Sequence, residues 1–141
     1  GCEKYLINAL QVIQNSAARA VTKCNRYTPV KSLLSQCGWM SVHQLGIYHS
    51  IVLTYKIIQD KNPIYFHEKM STNFPYRTRN GKDLAIHIGT QNKLSMTDNS
   101  FRWRASLLWN KLPPDMRTIQ KLPKFKTQLK KWILDNIDIY P

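Results

Sequence analysis

The chain has 141 residues and 43% hydrophobic content, enough for one domain with one sizeable core, so it need not be disordered. Its 21 lysines and arginines against 8 aspartates and glutamates give a net charge of +13, which favours a polyanionic partner, nucleic acid before an acidic membrane. Three cysteines (Cys2, Cys24, Cys37) without a CxxC pair argue against a disulfide framework. Together with the lack of an apolar leader after Gly1, they predict a reducing compartment, nuclear or cytoplasmic and not secreted.

In chain order, residues 4–23 carry Leu6, Ala9, Leu10, Ile13, Ala17, Ala20 and Val21 at helical spacing. The pattern predicts an amphipathic helix with that stripe inward and Asn8, Gln11, Asn15, Arg19 and Lys23 facing away. Thr28 and Pro29 predict the start of a short helix over 29–37, Thr28 as cap and Pro29 in the first turn, and Gly38 suits a left-handed stop. Residues 41–61 form the most apolar stretch. Leu45, Ile47, Tyr48, Ile51, Val52, Tyr55 and Ile58 share an arc of roughly 160°, and Leu53 and Ile57 make a second stripe. A helix apolar on two sides belongs at the centre of a fold. Ser41 is its expected cap and Lys61-Asn62-Pro63 its end. His43, Gln44, His49, Lys56, Gln59 and Asp60 argue against a membrane span.

A short helix is predicted over 63–70, then a polar, basic loop over 71–83 containing an Asn80-Gly81 turn. Alternation of Leu84, Ile86 and Ile88 predicts one short β element near 84–96. Asp98, Asn99 and Ser100 can cap a helix over 100–112 with Phe101, Ala105, Leu108 and Leu112 inward, ended by Pro113-Pro114. The last helix, 123–137, sets Leu122, Phe125, Leu129, Trp132, Ile133 and Ile137 against a lysine face. The expected fold is therefore mainly α: a single compact domain, 1–141, of about six helices around the central apolar helix 41–61.

The basic charge is uneven. Residues 77–141 hold 13 of the lysines and arginines, and between Arg102 and Lys131 nine face a single acid, Asp115. Arg102 and Arg104 flank Trp103, a pattern in which guanidinium groups clamp phosphates while an indole stacks on a base. Arg77, Arg79 and Lys82 sit near a turn suited to gripping a phosphate backbone. With Lys111, Arg117, Lys121, Lys124, Lys126, Lys130 and Lys131 they make up the candidate nucleic-acid contacts. The bland alternatives are a solvated basic surface and core-anchoring indoles. Catalytic groups are harder to find. The eight acids show no two-metal spacing, the five glycines form no phosphate loop, and Cys24, Cys37 and His43 match no zinc pattern in common use. No catalytic residue, metal or cofactor is expected.

Several phrases then occur in order. They are Gln14, Asn15, Ala17, Ala18 and Arg19; Arg26-Tyr27-Thr28-Pro29; Gly38-Trp39; Ser100-Phe101; Trp109, Asn110, Leu112, Pro113, Met116 and Arg117; and Phe125, Lys126, Leu129 and Lys130. Their order and spacing resemble the C-terminal, post-thumb region of reverse transcriptases encoded by non-LTR retrotransposons, the Jockey-like group in particular. Met116 stands where the family pattern has isoleucine. The resemblance implies a fragment of a longer RNA-directed DNA polymerase, consistent with the absence of an initiator methionine. It implies a role in target-primed reverse transcription, holding element RNA or target DNA beside the upstream polymerase domain. It implies no activity in this stretch, which lacks the family's YxDD carboxylates, its endonuclease and the zinc knuckle of some relatives. The expectation is a non-catalytic module that binds RNA or DNA and no membrane. The alternative is a structural or docking module that braces the polymerase or binds a protein partner.

Overall fold

The computed structural model describes residues 4–69 and 101–138, with Phe66, Glu68, Lys69 and Arg102 described by backbone alone. The predicted loop 71–83 and β element near 84–96 lie outside the described residues. Every regular element among the described residues is helical: α1 (Lys4–Thr22), α2 (Val30–Cys37), α3 (Val42–Asp60), α4 (Ile64–Lys69), α5 (Phe101–Asn110), α6 (Pro114–Arg117) and α7 (Leu122–Asn136). The fold is mainly α, as the periodicities predict. The helices group into two compact units, one holding residues 4–48 and 131–138, the other 49–69 and 101–130. Helices α3 and α7 contribute residues to both.

In the unit of residues 4–48 and 131–138, α1 packs against α2 with Gln11 and Asn15 inward, against the sequence expectation, while Asn8 and Lys23 are exposed as expected. Gln11, Asn15 and Ala18 are buried, whereas Leu6, Leu10, Ile13 and Val21 are exposed. The reason is hydrogen bonding. The side chain of Gln11 donates to Gln14 at 2.8 Å and to Asn15 at 2.9 Å, and its Oε1 accepts the backbone N–H of Val42 at 2.9 Å. Gln14 Nε2 donates to the Met40 carbonyl at 2.9 Å. These amides therefore satisfy backbone groups around the start of α3, which would cost about 1–3 kcal/mol each if buried without partners. Ser41 and Gln44 complete the cap: the Gln44 N–H donates to Ser41 Oγ at 3.1 Å and the Ser41 N–H donates to Gln44 Oε1 at 2.9 Å. This reciprocal pair is a capping box. The free Nε2 of Gln44 donates to the Ile137 carbonyl at 2.8 Å, beyond the end of α7. Among the described residues, Arg19 Nε is buried without a hydrogen-bond partner.

Helix α2 departs from expectation at its start and follows it at its end. Pro29 itself takes the cap position, its carbonyl accepting from Leu33 N–H at 3.0 Å, and no side chain caps the helix. Gly38 is left-handed at φ 65°, with Gly38 N–H to Ser35 O at 3.0 Å and Trp39 N–H to Leu34 O at 2.9 Å. That pair of bonds needs positive φ, which glycine adopts without steric cost.

In the unit of residues 49–69 and 101–130, the core forms from Ile51, Val52, Tyr55 and Ile57 of α3, Ala105 and Trp109 of α5, Leu112, Met116, and Phe125 and Leu129 of α7. Each fully buried large side chain contributes on the order of 1.5–3 kcal/mol. Of the expected second stripe on α3, Ile57 is buried and Leu53 is exposed. Thr54 is fully buried beside them, its hydroxyl donating to Ser50 O at 2.8 Å. Lys61 ends α3 in the left-handed region at φ 52°. Trp109 of α5 is buried, at 1% exposure.

Candidate nucleic-acid interface

The candidate residues are presented by the ends of α5 and α7 and by the turns between them. Helix α5 stops at Asn110, because Pro113 and Pro114 cannot continue an α-helical hydrogen-bond ladder. Lys111 follows on the surface. The one-turn α6 buries Met116 beneath it. The chain then turns through Thr118, whose hydroxyl donates to Asp115 O at 2.9 Å, into Lys121 and α7.

Tyr55 fixes this turn to the core. Its hydroxyl donates to the Gln120 carbonyl at 2.6 Å, and its ring stacks on Phe125 at a centroid separation of 4.3 Å. Trp109 approaches Phe125 from another side at 6.1 Å. One buried residue thus holds the segments before and after Lys121 and Lys124. Burial, with a smaller contribution from the Asp60 carboxylate, pushes the Tyr55 phenol above its ordinary value of 10.0. Both lysines are exposed, and with Asp115, Thr118, Ile119 and Gln120 they line an open hollow of about 530 Å³. Along α7, Phe125, Leu129 and Ile133 are fully buried while Lys124, Lys130 and Lys131 are exposed and Lys126 is half-buried.

The other candidates divide. Arg104 is exposed on α5, and Trp103 is half-buried. Arg102 lies on α5 with its side chain outside the described atoms, and Arg77, Arg79 and Lys82 lie outside the described residues. Arg117 is a correction. Its side chain is 7% exposed and its Nε donates to the Leu112 carbonyl at 3.1 Å, so it ties the Pro113-Pro114 turn and is withdrawn from solvent. Arg104, Lys111, Lys121, Lys124, Lys126 and Lys130 belong to one unit, Lys131 to the other.

Such an arrangement can neutralise phosphates. It offers exposed ammonium groups on α7 and on the turns between α5 and α7, with the guanidinium of Arg104 on α5. Among the described residues, no group of three or more histidines, cysteines or acids is placed to hold a metal ion. No helix among the described residues is long and apolar enough to cross a membrane. Sequence reasoning did not single out a groove of about 950 Å³ in the unit of residues 4–48 and 131–138. Leu34, Trp39 and Leu134 line it with Lys31, Asp135 and Asp138. No candidate contact lies on it, and its lining residues are too far apart in sequence for spacing to reveal it. In comparisons with known protein families, characterised proteins and solved structures, nothing matches the chain.

Proposed function

We propose that the chain is a non-catalytic module that binds RNA or DNA through phosphate contacts, in the manner expected of the C-terminal region of a non-LTR retrotransposon reverse transcriptase. In that role it helps hold element RNA or target DNA beside the polymerase domain of the same polypeptide during target-primed reverse transcription. The observation that carries the reading is the exposure of Arg104, Lys111, Lys121, Lys124 and Lys130 on one unit of a chain of net charge +13. Lysine contacts to phosphates are sequence-tolerant and release counterions, so binding is expected to be strong at low salt and to fall steeply as salt rises.

Fluorescence anisotropy with labelled single-stranded RNA, single-stranded DNA and duplex DNA tests this. Six phosphate contacts correspond to a loss of affinity of roughly a thousandfold between about 50 and 200 mM salt. The order of the three ligands identifies the preferred nucleic acid. Absence of binding at low salt rejects the reading. A specific observation also favours the docking alternative: α1 leaves a row of large apolar side chains exposed. Interaction through α1 is compatible with nucleic-acid binding elsewhere on the chain.

A further inference from the structure

We propose that α1 is a dimerisation helix, pairing antiparallel with α1 of a second copy of this chain. Its seam is Leu6, Leu10, Ile13, Ala17 and Ala20, spaced four, three, four and three residues apart, as at the a and d positions of a heptad repeat. All five are exposed, Leu6 at 42%, Leu10 at 51% and Ile13 at 66%. Tyr5, Val12 and Val21 add exposed apolar surface on the same helix at 65%, 64% and 67%. The helix meets its own unit with the other side, through Gln11, Asn15 and Ala18. A contiguous apolar stripe on one 19-residue helix, about 28 Å long, is unlike the scattered single apolar side chains of an ordinary surface.

Two features select a second copy as the occupant. The first is charge. Between Lys4 and Arg19 the helix carries no ionisable side chain except Tyr5, so two chains of +13 can meet along it without opposing cations. It offers a charged partner nothing to recognise. The second is size. The seam is bulky in its N-terminal half, at Leu6 and Leu10, and small in its C-terminal half, at Ala17 and Ala20. Antiparallel pairing about a two-fold axis sets Leu6 against the partner's Ala17 and Leu10 against the partner's Ile13. The symmetry repeats the same matches on the other side. Large then meets small in the two outer layers, and Leu10 meets Ile13 in the two inner ones. Parallel pairing would set leucine on leucine at one end and alanine on alanine at the other. The seam is thus complementary to itself in one orientation.

Sedimentation equilibrium on the 141-residue chain, in salt high enough to screen its net charge, should show a reversible monomer–dimer equilibrium. Leu10→Lys and Ile13→Lys should each weaken it at least about a hundredfold, since a two-fold interface suffers each change twice. Both side chains are exposed, so helical circular dichroism should be unchanged. Orientation is read by cross-linking with Cys2, Cys24 and Cys37 replaced by serine. Copies carrying Leu6→Cys should form a disulfide with copies carrying Ala17→Cys and not with one another. A chain that stays monomeric at every concentration overturns the proposal, and α1 then meets a different partner or another part of a longer polypeptide. A dimer that survives Leu10→Lys, or one that cross-links Leu6→Cys to itself, also overturns it. The nucleic-acid reading is measured separately, so the failure of either leaves the other standing.

Discussion

The hydroxyl of Tyr55 donates to the carbonyl of Gln120 at 2.6 Å, joining two residues 65 positions apart. The same side chain stacks on Phe125. The middle of α3 therefore sets the height and direction of the segment that carries Lys121 and Lys124.

Removing the hydroxyl separates the two roles of Tyr55. Tyr55→Phe keeps the stack and leaves the Gln120 carbonyl without this donor, at an expected cost of about 1–2 kcal/mol in denaturant unfolding. The pH dependence has a definite sign. The phenol titrates higher in the folded state than its ordinary value of 10.0, so the folded state holds the proton more tightly. The associated stability is complete below pH 10.0 and is lost as pH rises from there through the folded value. Stability of the parent chain is expected to fall in that alkaline window more than that of Tyr55→Phe.

The inward Gln11 of α1 makes a prediction opposite to the hydrophobic pattern of the helix. Gln11→Leu adds an apolar side chain to a buried position yet strips the Val42 N–H, Gln14 and Asn15 of their partner. It is expected to cost about 2–4 kcal/mol. Ile13→Gln, on the exposed side, is expected to change monomer stability by less than about 0.5 kcal/mol. Urea midpoints of the two variants check the pair.

What could be read from the sequence divides along physical lines. Helix existence and several helix ends were legible, because Gly38, Pro63 and the Pro113-Pro114 pair act locally on backbone geometry; the Pro29 cap of α2 was not. The inward stripe of α7 was legible because Phe125, Leu129 and Ile133 have no polar alternative. The buried face of α1 was not. Periodicity shows that a helix has two faces, and which one is inward depended on amides meeting backbone groups 26 and 31 residues away. Arg117 counted as a free cation in the sequence. Its burial depends on a carbonyl at Leu112, five residues back, that only the folded turn presents to it. Tyr55 read as core, which it is. Its hold on the lysine-bearing segment needed a partner 65 residues on.

Two backbone positions, Gly46 in α3 and Lys61 just past its end, offer stabilising changes. Gly46 lies in the helix, and a Cβ built there meets nothing within 4 Å. Gly46→Ala is expected to add about 0.5–1 kcal/mol. Lys61 holds φ 52°, a left-handed conformation that an L side chain adopts at a cost. Lys61→Gly is expected to add up to about 1 kcal/mol, and thermal melts of both variants check the values.

Arg117 and the exposed lysines should separate stability from binding. Arg117→Met removes the donor to Leu112 O and is expected to cost about 1–3 kcal/mol while leaving RNA affinity of the folded chain unchanged. Lys121→Gln and Lys124→Gln, at exposed positions, are expected to leave the unfolding midpoint in place and to weaken binding.

The most direct measurement is the salt slope of single-stranded RNA binding for the parent chain and for the triple variant Lys111→Gln, Lys121→Gln, Lys124→Gln. If these three lysines contact phosphates, the slope of log affinity against log salt should be steep for the parent and shallower by about 2 for the variant, about 0.7 for each lost contact. Equal slopes would contradict the assigned interface, and no binding by the parent at low salt would contradict nucleic-acid binding itself.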